Sequence, residues 1–427
     1  MKAPSLSLSP RAVNRVRFAA ILGVLGPGLV SGFADNDAGG ITTYSVAGVK
    51  YGYELLWVLL ASQIVLFFTQ EVGARLGLAT GQGLTGLVRE RFGVRWVTFL
   101  TITMLIANIG SIVAEFAGTA AALSLFNVPP AASAVLAASV VILLLTRGSF
   151  GKVQYLFVAV GIGVSLAYFA SALMSRPDWG HAFNSLLVPS GSGTAAYWLA
   201  VVATVGTTIT PWGQAFIQSY CADKRLGPED LFGERLDVGL GALLTNLIAA
   251  FIVIACASAL WSHNIVIDTN SPDAVPQIAK ALAPLAGQGA TVLFAVGLLA
   301  ASFLGLGVVP MTSAYAACEA FGWETGVDWH FREAPAFYGL LILFIVFAAF
   351  FVLIPGLPLV QVMFMAQVVN ALLLPFVLVF VMLLASDKKL MGPLVSGRFL
   401  QIVGWSGTGL LVLLSLTLAW SSFFAPA

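Results

Sequence analysis

Three observations predict an all-α polytopic membrane protein with eleven transmembrane helices, ten of them in a five-plus-five inverted repeat. Hydrophobic residues make up 59% of the 427 residues and charged residues only 9%, with a mean hydropathy of +0.96. Apolar stretches of about 20 residues, enough for roughly 30 Å of hydrocarbon, recur along the chain. Two of them, the first and the sixth, contain residues that open a helix. This composition excludes a soluble globular domain and a disordered tail.

The eleven spans begin near Phe18, Glu54, Trp96, Ala131, Val153, Ala195, Val238, Gly287, Ala336, Leu357 and Phe399. Polar or Pro/Gly-rich joints separate them, at 73–95, 176–192, 222–237, 261–284 and 323–335. No joint can hold a soluble domain, so residues 1–427 read as a single transmembrane domain. Lys2, Arg11, Arg15 and Arg17 precede the first span as they would in a signal peptide, but no cleavage site stands clear of the glycine-rich run that follows. An uncleaved first helix is expected. Cys221, Cys256 and Cys318 are odd in number and widely spaced, which argues for packing residues rather than a disulfide framework or zinc site. No basic cluster with interleaved aromatics suggests nucleic acid, and no signal for oligomerisation is visible.

Lysine and arginine are enriched in cytoplasmic loops. With the amino terminus inside, eleven crossings place Arg75, Arg89, Arg91, Arg95, Arg147, Lys152, Lys224, Arg225, Arg235, Arg332, Lys388, Lys389 and Arg398 in the cytoplasm with the four N-terminal charges. Only Lys50, Arg176 and Lys280 remain outside. A missed helix would scramble this asymmetry, and the carboxyl terminus is expected outside.

In the first span, Gly26-Pro27-Gly28-Leu29-Val30-Ser31-Gly32-Phe33 leads into Ala34-Asp35-Asn36-Asp37-Ala38-Gly39-Gly40. An uncompensated charge at the bilayer centre costs about 3 kcal/mol or more, so an intramembrane acid marks a functional site by default. Glycines and Pro27 let the helix unwind and turn carbonyls toward a cavity, a setting that suits a cation. Asp37 then offers a hard anionic oxygen and Ala34 a freed carbonyl, with Asp35 and Asn36 as nearby oxygens of open direction. The competing reading is a polar turn at the membrane surface. It requires a straight crossing over 18–34, barely long enough.

The sixth span carries Val205-Gly206-Thr207-Thr208-Ile209-Thr210-Pro211-Trp212-Gly213-Gln214. Pro211 lacks the amide proton and clashes one turn back, so a kink or break is expected at Thr207 to Thr210. Hydroxyls there can satisfy freed carbonyls or contact a hydrated ion. Trp212 fits packing as well as pathway lining. The broken spans lie five crossings apart, an odd number, so equivalent units face opposite ways in the membrane. That pattern points to inverted repeats over about 18–176 and 195–386, with 397–423 as an extra helix and a midplane site between the broken spans.

Span ten adds Gln367 and Asn370, three residues apart and on one face, as site groups or interhelical glue. Span three adds Glu115, in Ala114-Glu115-Phe116-Ala117-Gly118, as a proton relay or a partner for a helix end. His181, His263 and His330 fall in predicted loops, leaving no span with a residue suited to proton switching near neutral pH. No His-Glu-x-x-His pattern occurs and no nucleophile neighbours a histidine, so an enzyme is not expected.

These residues resemble the Nramp family of divalent-metal transporters over nearly the whole chain. Gly26-Pro27 through Ala47-Gly48-Val49-Lys50-Tyr51-Gly52-Tyr53 to Trp57 is similar without gaps to the family's first span and its sequel. Ala114-Glu115 with Gly118-Thr119-Ala120, Arg235-Leu236-Asp237-Val238, and Ala366-Gln367-Val368-Val369 followed by Pro375-Phe376 match in order. The resemblance implies a LeuT-type fold with a metal held between spans one and six. The family's Asp-Pro-Gly-Asn motif falls on Asp37-Ala38-Gly39-Gly40, keeping the aspartate and losing the asparagine. Its Met-Pro-His motif falls on Thr210-Pro211-Trp212, losing the thioether and the imidazole. Carbonyl ligands correspond to Ala34 and Thr207, and the span-ten glutamine to Gln367. The acid that accompanies the span-three glutamate in proton-coupled members corresponds to Ile112, while Glu115 remains.

Replacing sulfur by the oxygen of Thr210 tilts the site toward hard cations. Mg2+ keeps several waters, and Gly40 makes room for them. The chain thus looks like the Nramp-related magnesium transporter branch, with Mn2+ as a second substrate, acting by alternating access and without proton coupling. The alternatives are a proton-coupled Mn2+/Fe2+ transporter of the general Nramp type and an amine or amino-acid transporter on the same fold. A metal-sensing receptor or a channel fits the two broken helices less well. No cofactor is expected beyond the transported metal. The expected partners are that ion and the lipid bilayer, and the expected location is the inner (plasma) membrane of a prokaryote.

Overall fold

The computed structural model describes residues 26–147, 150–271, 274–326 and 331–424, and every regular element among them is helical. Residues 18–25 of the first predicted span, the four N-terminal basic residues and His330 lie outside the described residues. The main helices are α1 (Pro27–Ala34), α2 (Ala38–Tyr51), α3 (Leu56–Thr80), α4 (Leu84–Phe92), α5 (Val94–Ser124), α6 (Pro130–Thr146), α7 (Phe150–Met174) and α8 (Trp179–Leu187). They continue with α9 (Ala195–Thr208), α10 (Pro211–Asp223), α11 (Leu231–Ala259), α12 (Ala290–Phe321), α13 (Pro335–Val352), α14 (Leu359–Ala385) and α15 (Arg398–Phe424).

Local sequence sets many of these ends. Pro27, Pro130, Pro211 and Pro335 each open a helix, where the missing amide proton costs nothing and the fixed φ suits the first turn. Gly81 and Gly322 close α3 and α12 in the left-handed conformation, at φ of 62° and 76°. Seven helical stretches among the described residues are long and apolar enough to cross a membrane, and α6 and α7 supply shorter apolar ones. Only 22% of the most apolar stretch of α15 is buried, against 67% for α14, so α15 sits at the edge of the bundle. The centre is formed by α5 packed on α14 and α12, with α9 on α14, α10 on α3, and both α1 and α2 on α11.

Among the described residues the predicted helix starts fall close to those observed, with one clear exception. Span seven starts at Leu231, ahead of the expected Val238, because its charged first turns are neutralised inside the protein. Glu71 on α3 accepts from both Arg75 Nε and Arg235 Nε at 2.7 Å. Asp237 accepts from the backbone N–H groups of Gly26 (3.0 Å), Gly28 and Leu29 (3.3 Å), so a carboxylate from α11 caps the N-terminus of α1. The predicted joint at 73–95 is also partly helical, since α3 runs to Thr80 and α4 follows. His181 sits on α8 rather than in a loop, edge-on to Tyr53. The three cysteines are free and buried.

The α1–α11 contact is close enough to exclude side chains. A Cβ on Gly32 would lie 2.6 Å from the carbonyl oxygen of Gly241, and one on Gly28 would lie 2.6 Å from the Val238 nitrogen. The small residues at 28 and 32 thus let backbone meet backbone, as at tight membrane-helix crossings.

Removing the cap strands amide protons where water is scarce. Asp237→Ala is expected to destabilise the folded protein by about 2 kcal/mol, with Asp237→Asn losing less because an acceptor oxygen remains. Thermal unfolding in detergent checks this, and equal stability for all three proteins would contradict the capping role.

Candidate functional site

The first broken helix is built around two acids. Asp35 ends α1, its amide donating to Ser31 O at 2.8 Å. Asp37 opens α2 as its N-cap, its Oδ1 accepting from the Gly40 amide at 2.6 Å. Both carboxylates are 1% exposed. The polar turn therefore lies in the protein interior.

The second break falls at Ile209 and Thr210, later than Thr207 and Thr208, which complete the last turn of α9. Its cause differs in part from a proline kink. Pro211 occupies the first position of a new helix, α10, and Thr210 caps that helix by accepting from the Gly213 amide at 3.2 Å. The same hydroxyl donates to Asp35 Oδ1 at 3.2 Å and joins the two breaks directly.

Oxygens converge at Gly40. A Cβ placed on this glycine would lie 2.9 Å from Asp35 O, 3.2 Å from Thr207 Oγ1 and 3.4 Å from Asp37 Oδ1. Thr207 Oγ1 and Asp35 Oδ2 are buried with no hydrogen-bond partner. Buried polar groups are normally paired, so the unpaired Thr207 oxygen beside Gly40 is a candidate for a ligand to complete its bonding. Ala34, the last residue of α1, is fully buried beside them.

Span ten contributes unevenly. Gln367 meets Gly39 so closely that a Cβ there would collide with its amide nitrogen, and that nitrogen has no partner. Gln367 Oε1 is held by Asn370 Nδ2 at 2.8 Å, and Asn370 is paired in turn with Ser111 Oγ at 2.9 Å. Asn370 therefore acts as interhelical glue, and Gln367 presents a donor to the site. Glu115 Oε2 accepts from the Ala38 amide at 3.3 Å, so this acid serves the first turn of α2. Trp212 is fully buried, its ring edge-on to Phe216 and its indole N–H unpartnered.

Asn36 is not brought to this cluster. Its amide nitrogen donates to Gly32 O (3.5 Å) and Thr245 O (3.4 Å), and its side chain faces α7, α11 and α12 instead of α9. In an unwound segment successive residues point in different directions, which spacing alone does not reveal.

Two residues absent from the sequence reading brace the site. Tyr44, fully buried, shares a 3.0 Å hydrogen bond with Thr208 Oγ1 and ties α2 to α9. Gln70 Nε2 donates to Ser31 Oγ at 3.4 Å on α1. Tyr44 stands seven residues after Asp37 and so shares its helix face, a signal the sequence did carry.

Among the described residues no three His, Cys, Asp or Glu side chains converge on one point. The donors gathered at Gly40 are oxygens, two of them from acidic residues, which fits a hard divalent cation better than a soft metal.

The family described as "Nramp: Natural resistance-associated macrophage protein-like" matches residues 28–421. The chain is 30% identical over 423 residues to the divalent metal cation transporter MntH of Deinococcus radiodurans, covering 96% of this chain and 91% of that protein. Its likeness to MntH of Bacillus subtilis is 26% over 416 residues, covering 95% and 94%. Among solved structures, the manganese transporter of Eremococcus coleocola in complex with an aromatic bis-isothiourea compound superposes with a TM-score of 0.77 at 22% identity, covering 96% and 90%. MhsT in complex with L-phenylalanine superposes with a TM-score of 0.64 at 16% identity, covering 93% and 98%. At these identities the structures show the fold, a LeuT-type bundle with two interrupted helices. This chain belongs to the Nramp family of divalent-metal transporters; it is a membrane transporter, not an enzyme.

Proposed function

We propose that this protein moves Mg2+, and also Mn2+, into the cytoplasm by alternating access, with the ion held between the two helix breaks. The observation that carries the reading is the convergence of Asp35 O, Asp37 Oδ1 and Thr207 Oγ1 on Gly40, where the lack of a side chain lets them approach. Asp37 supplies the charge, Thr207 a neutral oxygen and Ala34 a carbonyl at the end of α1. Thr210 and Asp35 hold each other across the gap, and Asp35 Oδ2 remains for the ion or its water. Gln367 turns a nitrogen toward the site, so its role is to donate to a water on the ion instead of ligating the metal directly. Few direct ligands and a donor for a retained water suit Mg2+, which sheds water reluctantly.

Uptake is driven by voltage. Trp212 and Ile112 stand where the resemblance places an imidazole and an acid, and both are fully buried without any charge to pass a proton. A divalent ion gains about 4.6 kcal/mol per 100 mV of membrane potential, twice the single-charge value. Counting each pair of half-helices as one crossing, with the seven long and two shorter apolar helices, gives eleven spans. That count supports an inside amino terminus, an outside carboxyl terminus and inverted repeats at about 18–176 and 195–386. The bacterial relatives support placement in the plasma membrane.

Asp37→Ala is expected to abolish Mn2+ uptake into proteoliposomes while the purified protein remains folded; wild-type flux in that variant would displace the site. Gly40→Ala should lower uptake by about tenfold through crowding of the oxygens, roughly 1.4 kcal/mol of binding. With a pH dye inside the vesicles, metal influx should leave the interior pH unchanged, and metal-dependent acidification would overturn the uncoupled mechanism.

A further inference from the structure

Behind the metal-binding segment, on the side away from α9, lies a cavity of about 30 Å3 between α1, α2, α7, α11 and α12. Its walls are mostly apolar, including Phe33, Ile41, Val164 and Ile252, but Asn36, Ser165 and Tyr168 also line it. Asn36 Oδ1 and the Tyr168 hydroxyl are buried with no hydrogen-bond partner, the two residues being 7% and 1% exposed.

The amide of Asn36 can face only one way. Both partners of its nitrogen are carbonyl oxygens, which accept and never donate, so Oδ1 is the atom turned to the cavity. Ser165 gives its own proton to Gly161 O at 2.7 Å and keeps lone pairs free to accept. Ser45, beside the Tyr168 phenol, gives its proton to Ile41 O at 2.7 Å.

Any occupant must therefore donate to Asn36 Oδ1, which excludes an anion. Three neutral oxygens in an apolar wall are too few to desolvate a cation. A water molecule fits in volume and in bonding. Its two protons match the acceptors Asn36 Oδ1 and Ser165 Oγ and its lone pairs match the Tyr168 hydroxyl proton, the three bonds usual for a buried water.

We propose that Asn36, Ser165 and Tyr168 hold one buried water, and that this water makes Tyr168 a positioning residue for the metal-binding segment. Asn36 sits between Asp35 and Asp37, so fixing its side chain to α7 fixes the direction in which both acids face. A shift of α7 is then felt at the metal site without any α7 residue touching the ion. This positioning role rests on the metal site proposed above.

The test uses the full chain in detergent, with Mn2+ alone as the probe. Tyr168→Phe removes one oxygen and keeps the ring, and should weaken Mn2+ binding by about threefold to tenfold with the unfolding temperature unchanged. In an Asn36→Ala background the same substitution should add nothing, because the shared water is already lost. A density map of the metal-free wild type should show one solvent peak bridging Asn36 and Tyr168, absent in Tyr168→Phe. A map with no peak there, or a Tyr168→Phe effect of equal size in both backgrounds, overturns the proposal. The solvent peak is read without metal, so it is separate from failure of the metal site itself, which appears as a wild-type protein that binds no Mn2+.

Discussion

Carboxylates cannot rest inside a membrane bundle unless something replaces the water they lose, and here the replacement is exposed backbone. A helix interrupted in mid-span releases amide protons that an intact helix would consume. Asp37 takes the Gly40 amide and Glu115 takes the Ala38 amide, both from the first turn of α2. The break in span one is thus what makes the acids tolerable, and the acids in turn hold the break open. Asp237 repeats the arrangement at the other end of α1, where three further amides meet one carboxylate. Asp237 on α11 fastens the start of this short helix and Thr210 holds Asp35 at its end, which lets eight residues persist as a separate half-helix.

The neutral side chains divide between framework and site. Thr210 is committed twice, as cap of α10 and as donor to Asp35, and Asn370 is committed to Ser111 and Gln367. Those bonds join the two breaks to each other and span ten to α5. Thr207 Oγ1, Asp35 Oδ2 and the Gln367 nitrogen are left over; the first lies against Gly40 and the last against Gly39, neither of which carries a side chain. Such a division suits the transport site proposed above: a rigid frame, with a few unsatisfied groups left for the cargo.

Much of this was legible in the sequence because membrane constraints are severe. Acids in an apolar run, glycines beside them and a proline one repeat later mark the breaks from residue type alone, and the Nramp resemblance extends over the same positions. What could not be read was direction. Asn36 has the same chemistry whether it faces α9 or α11, and only the path of the unwound backbone decides. Pro211 reads as a kink, yet with Thr210 as cap it is the first residue of a helix. The early start of span seven is hidden because Arg235 and Asp237 look like a loop until their partners on α3 and α1 are seen. Tyr44 was passed over although its spacing from Asp37 was visible.

The cargo proposed for this site is a hard, partly hydrated divalent ion. Mn2+ influx into proteoliposomes under an imposed inside-negative potential, measured with and without excess Mg2+, tests it most directly. Strong, saturable inhibition by Mg2+ is the result this account predicts. Mn2+ influx that proceeds undiminished in excess Mg2+ would contradict it.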